Sequence, residues 1–212
     1  MTFVSPLPFA PHVSMVEPIL QSLRKGHSHH ALLWTGPLGV GKFLWAQKFA
    51  RLAMCATLES SENCKCTNCS HENHPDFILL GPDPEQLSIA SIREVLRRSS
   101  LKPFVASRRL VMIRDAHLLT PQAQNALLKT LEEPPGQTLF LLLSHCERRL
   151  LRTIRSRCQI LRFAPFDHDT LRTIAEGWNL QLPRQELDAL IEASSGSQGV
   201  VIKRRKTKYL AA

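Results

Sequence analysis

The run Gly36-Pro37-Leu38-Gly39-Val40-Gly41-Lys42-Phe43 has the spacing G-x-x-x-x-G-K. Glycines at 36, 39 and 41 let a backbone curl until its amides face an anion, and a helix starting there adds its own N-terminal donors. Lys42 stands where it would reach the β- and γ-phosphates of a nucleotide. The next position should carry a Ser or Thr hydroxyl to ligate Mg²⁺, and it carries Phe43. A second acidic position follows an apolar run, in Arg114-Asp115-Ala116-His117. Asp115 could hold Mg²⁺ through water, or it could be only a strand-end or capping residue. A hydrolysing site places Glu directly after that Asp to polarise the attacking water, and Ala116 occupies the position. Two defects together predict that ATP or ADP binds weakly or not at all, and that hydrolysis is lost.

A second chemistry lies in four of the six cysteines, Cys55, Cys64, Cys66 and Cys69. Four thiolates suffice for a closed tetrahedral zinc site. In a chain with no secretion signal such a cluster reads as metal binding rather than as a disulfide frame. A structural zinc is expected; no partner for an activated water is evident. Only Lys65 separates Cys64 from Cys66, so His71 and His74 stay open as alternative ligands.

These groups must be carried by regular elements. Apolar runs at 29–35, 77–80, 109–114, 138–144 and 159–163 read as strands. Helical spacing is found at 42–56, 88–98, 121–131, 147–156, 169–177 and 183–194, and Pro134-Pro135-Gly136 stops the third of these. Apolar, two-sided strands alternating with helices predict a parallel sheet covered on both faces. The loops after Thr35, Arg114 and Leu143 should then share the carboxyl edge, where such sheets bind ligands. Pro165-Phe166 reads as a hinge before a smaller helical part.

Composition narrows the class. Of 212 residues, 43% are hydrophobic and 21% charged, which excludes a wholly disordered or collagen-like chain. No apolar run approaches the ~18 residues of a spanning helix, and residues 1–16 lack the basic start of a signal peptide. A cytoplasmic protein with no membrane partner is expected. The formal charge is +9, of which Lys203, Arg204, Arg205, Lys206 and Lys208 supply five. That excess suits nucleic-acid contact without establishing it.

The sequence resembles the AAA+ clamp-loader family, and within it the delta-prime subunits of bacterial DNA polymerase III. The resemblance runs over about residues 5 to 200. It is carried by His74-Pro75-Asp76, by Asp115-Ala116-His117-Leu118-Leu119-Thr120, by Asn-Ala-Leu-Leu-Lys-Thr-Leu-Glu-Glu-Pro-Pro at 125–135, and by Ser156-Arg157-Cys158. It implies an α/β fold: a parallel five-stranded sheet flanked by helices over 1–164, a zinc module inserted at 54–76 and a small helical lid at 165–202. A basic tail at 203–212 then stands where the family continues into a collar, so the collar is expected to be absent. It implies a non-catalytic subunit that helps load the sliding clamp onto primed DNA during replication, beside gamma/tau and delta-type subunits. Arg157 matches the arginine the family presents to a neighbour's ATP, a fixed guanidinium that offsets charge on a transferring phosphoryl group. Ser144-His145 falls where a first sensor residue is expected. Gln198 and Gly199 follow Gly196-Ser197 where the motor subunits carry a sensing Arg. The alternative implied by the intact Gly36, Gly39, Gly41 and Lys42 is an active motor-type ATPase subunit of the same loader.

Overall fold

The computed structural model describes residues 10–26, 29–54, 74–83, 85–177, 184–194 and 196–197. Five strands, β1 (Ala31–Thr35), β2 (Phe77–Leu80), β3 (Arg109–Ile113), β4 (Thr138–Ser144) and β5 (Gln159–Arg162), form one sheet in the order β2-β3-β4-β1-β5, every pair parallel. The three inner strands are buried at every residue, whereas β5 on the edge is not. That is why the inner strands read as unbroken apolar runs.

Alternation along each strand divides the core between two faces. Leu32 and Trp34 of β1 join one cluster with Val16, Leu20 and Leu23 of α1 (Ala10–Arg24) and Trp45, Phe49 and Ala53 of α2 (Lys42–Met54). Ala31 and Leu33 face the other way, toward Ile92 and Val95 of α3 (Ile89–Ser99) and Leu127 and Leu131 of α4 (Pro121–Glu132). Helix starts follow from capping. Ser88 Oγ accepts the Ser91 amide at 3.2 Å, and Thr120 Oγ1 accepts that of Ala123 at 3.2 Å with Pro121 in the first turn.

Two parts differ from the sequence expectation. Helix α1 is not heralded by the sequence, because Pro18 lies inside it; burial of Val16, Ile19, Leu20 and Leu23 holds it against α2. The expected helix over 147–156 is instead a 3-10 turn, Glu147–Arg149, and a single α-turn, α5 (Arg152–Arg155). Extended backbone at Leu150 and Leu151 separates them. Buried Gln124 fixes that break: its Oε1 accepts the Leu151 amide at 2.8 Å while its Nε2 donates to Leu119 and Arg149 carbonyls.

Beyond β5, α6 (His168–Gly177) and α7 (Arg184–Ser194) share a small core of Phe166, Leu171, Ile174, Leu187 and Ile191. Phe166 sits at 4.8 Å from the ring of His12, which also contacts Phe163, and its amide donates to Gly196 O. Among the described residues, no helix is long and apolar enough to cross a membrane.

Candidate functional site: the carboxyl edge of the sheet

The parallel sheet brings the loops after β1, β3 and β4 to one edge, as expected, with β4 between the other two. The first loop keeps the glycine conformations a phosphate loop needs: φ is +145° at Gly36, +81° at Gly39 and +90° at Gly41. Gly36 has a second reason to be glycine. A Cβ there would lie 2.3 Å from Phe163 O, at the exit of β5.

Side chains at the loop are engaged with the protein itself. Lys42 is 9% exposed, and its ammonium donates to Gly36 O and Pro37 O, both at 2.7 Å. Burial lowers its pKa to about 8, against an opposing pull from the Asp115 carboxylate. Phe43 packs against the α1–α2 core, with the Arg114 guanidinium 3.9 Å above its ring. The place of the magnesium-binding hydroxyl is thus taken by an aromatic ring under a cation.

Asp115 initiates a 3-10 turn at Ala116–Leu118 in the left-handed region, φ +51°, and its side chain makes no capping hydrogen bond. Its Oδ1 lies 3.5 Å from Nδ1 of His145, at the end of β4. His145 in turn meets His117 edge-on, with ring centroids 3.9 Å apart. The neighbouring Ser144 is fully buried and accepts the Cys146 amide, so His145 is the polar group of that pair that reaches the site. Burial, His145 and the nearby cations lower the His117 pKa, and Asp115 pulls the other way. His117 shares the turn that Asp115 starts, and the parallel register of β3 against β4 brings His145 to both. A polar residue two places beyond a strand-end acid would have been the signal.

Arg157 lies apart, after α5. Its Nε donates to Glu132 Oε1 at 2.6 Å, its Nη2 also reaches Glu132, and its Nη1 donates to Thr153 O at 2.9 Å. Both partners are partly exposed, 30% for the Arg157 side chain and 46% for that of Glu132. Cys158 beside it is a free thiol whose pKa burial pushes up to about 12, so it is inert.

Asp76, quoted above only as part of a resemblance, is a structural knot. Fully buried, it accepts the amides of Phe104, Val105 and Ala106 at 2.7–2.9 Å and pairs with Arg109. Burial alone would raise its pKa; these donors outweigh burial and hold it low. His74 spends its Nδ1 on the Asp76 amide, while its Nε2 is buried with no hydrogen-bond partner among the described residues. Cys55, Cys64, Cys66, Cys69 and His71 lie outside the described residues, as do Gln198, Gly199 and the basic tail.

The family described as DNA polymerase III, delta subunit, matches residues 12–167. The chain belongs to the DNA polymerase III delta-prime subunit family. DNA polymerase III subunit delta' of Escherichia coli is 33% identical over 195 residues, covering 88% of this chain and 57% of its own length. The tau/gamma subunit of Haemophilus influenzae is 32% identical over 190 residues, 86% of this chain and 28% of that protein. The chain therefore spans little more than half of its delta-prime relative. Among solved structures, a RuvB variant of Thermotoga maritima superposes with a TM-score of 0.61 at 15% identity, covering 91% of this chain and 59% of that one. That likeness speaks to the fold alone, a parallel five-stranded sheet flanked by helices.

Proposed function

We propose that this chain is a non-hydrolysing clamp-loader subunit that lends Arg157 to the ATP of a neighbouring subunit. The observation that carries the reading is a contrast in availability. At the chain's own loop, Phe43 packs under Arg114, Ala116 offers no base, and Lys42 is turned onto loop carbonyls. Arg157 is held by one exposed carboxylate and one carbonyl, contacts a neighbour's phosphate could replace. Gln124 supports it from behind by fixing the start of α5.

Partners would be gamma/tau- and delta-type subunits, with the sliding clamp and primed DNA engaged through the complex. Residues 165–202 would act as a partial helical lid, followed by the basic tail at 203–212. Cys55, Cys64, Cys66 and Cys69 would hold a structural zinc. Their four soft thiolates suit that ion, and His74, whose Nε2 has no hydrogen-bond partner among the described residues, follows that segment in the sequence. Zinc there would supply folding energy to the 54–76 insertion and no step of a reaction.

The test is a loader reconstituted with Arg157→Ala. Removing a trans arginine costs ~10³-fold or more in hydrolysis at the site it serves. A loader indifferent to the change would refute the reading, and turnover by the isolated chain that Lys42→Ala abolishes would install the motor-type alternative.

A further inference from the structure

We propose that Asp115, His117 and His145 form a binding site for a soft divalent cation, with zinc as the probe ion. One ligand atom from each residue lies within 4.8 Å of the other two. The Asp115 Oδ1 to His145 Nδ1 separation, 3.5 Å, is already close to the ~3.4 Å edge of a tetrahedron with zinc bonds of about 2.0–2.1 Å. His145, whose side chain is 38% exposed, is free to adjust its distance to the other two ligands.

The second observation is independent of this spacing. His117 is 5% exposed, and its Nδ1 is buried without a hydrogen-bond partner among the described residues. A buried imidazole nitrogen left so is costly, and a metal bond through this ring is one way to use it. Asp115, likewise, does not spend its carboxylate on capping the turn it starts. Two imidazoles and one carboxylate favour zinc, iron, nickel or copper over magnesium, which takes oxygen ligands.

The place of the site in the fold gives it a role. Asp115 and His117 follow β3, and His145 follows β4, its hydrogen-bonded neighbour. A bound cation would clamp these two loops together, at the edge where a nucleotide's magnesium would otherwise lie. Lys42 and Arg149 are close enough to act on His117 electrostatically and would weaken the affinity. This inference does not depend on Arg157 or on the reading of the cysteines.

The experiment counts zinc bound to the untagged chain at equilibrium, for wild type, His145→Ala, Asp115→Asn and Cys64→Ser. Histidine nitrogen chemical shifts are followed in parallel. His145 is exposed, so its loss leaves the fold intact, which a melting curve without zinc checks. The inference predicts one zinc fewer per chain in His145→Ala, affinity at least tenfold weaker in Asp115→Asn, and zinc-dependent shifts of two imidazoles that persist in Cys64→Ser. Unchanged stoichiometry in His145→Ala, or imidazole shifts that ignore zinc, would overturn it.

Discussion

The phosphate loop and the Arg157 corner lie in the same α/β unit and are held by opposite kinds of force. At the loop, Gly36 is pressed against Phe163 O, Val40 is fully buried, Lys42 spans two carbonyls, and Phe43 lies between the core and Arg114. Each group there is fixed by sterics or desolvation, both costly to undo. At the corner, Arg157 rests on Glu132 across partly exposed surface. Pairs of that kind contribute about 0–1 kcal/mol and exchange readily. The form of a nucleotide site has been kept while its side chains were committed to packing. The guanidinium proposed to act on a neighbour is held by a partly exposed ion pair and one carbonyl.

Substitutions at four positions would break or sharpen that contrast, and the largest effect lies where β2 and β3 begin. Asp76→Ala would strand three buried amides and Arg109, costing about 3–5 kcal/mol in denaturant unfolding. The same carboxylate sets an acid limit. Its folded pKa lies below the unfolded value of 3.8, so its contribution is complete above that pH. It is lost as the pH falls through the folded pKa, because the unfolded chain then binds the proton first. Asp76→Asn should flatten that part of a stability–pH curve.

Gly36→Ala comes next, at about 3 kcal/mol, since its Cβ would collide with the β5 backbone at a φ that side chains avoid. A melting temperature unchanged by this substitution would mean that the loop is not sterically locked. Phe43→Thr should cost about 1–2 kcal/mol through lost packing and lost contact with Arg114. It should confer no measurable ATP turnover, because Ala116 still supplies no base. Glu132→Ala is the smallest, with a change in stability below about 1 kcal/mol. A loss of several kcal/mol there would show that Arg157 is a structural residue like Asp76, and the contrast would fail.

Much of the frame was legible from residues. The inner strands are apolar throughout because both faces are buried, so their runs mark them directly. Ser88, Thr120 and Pro121 announce two helix starts through capping chemistry. Helix α1 was illegible because Pro18 masks a periodicity that only packing on α2 makes stable. The break at Leu150 and Leu151 depends on Gln124, some 26 residues earlier, and no local pattern carries it. The candidate site divides in the same way. Gly36, Gly39, Gly41, Lys42, Asp115 and Arg157 were marked by spacing or resemblance. Joining His145 to Asp115 and His117, and Glu132 to Arg157, required strand register and tertiary approach.

The most direct test places Arg157→Ala and Lys42→Ala side by side in one reconstituted loader and measures single-turnover hydrolysis at the neighbouring site. The account predicts a loss of ~10³-fold or more with Arg157→Ala and an unchanged rate with Lys42→Ala. The reverse pattern, hydrolysis lost with Lys42→Ala and kept with Arg157→Ala, would contradict it.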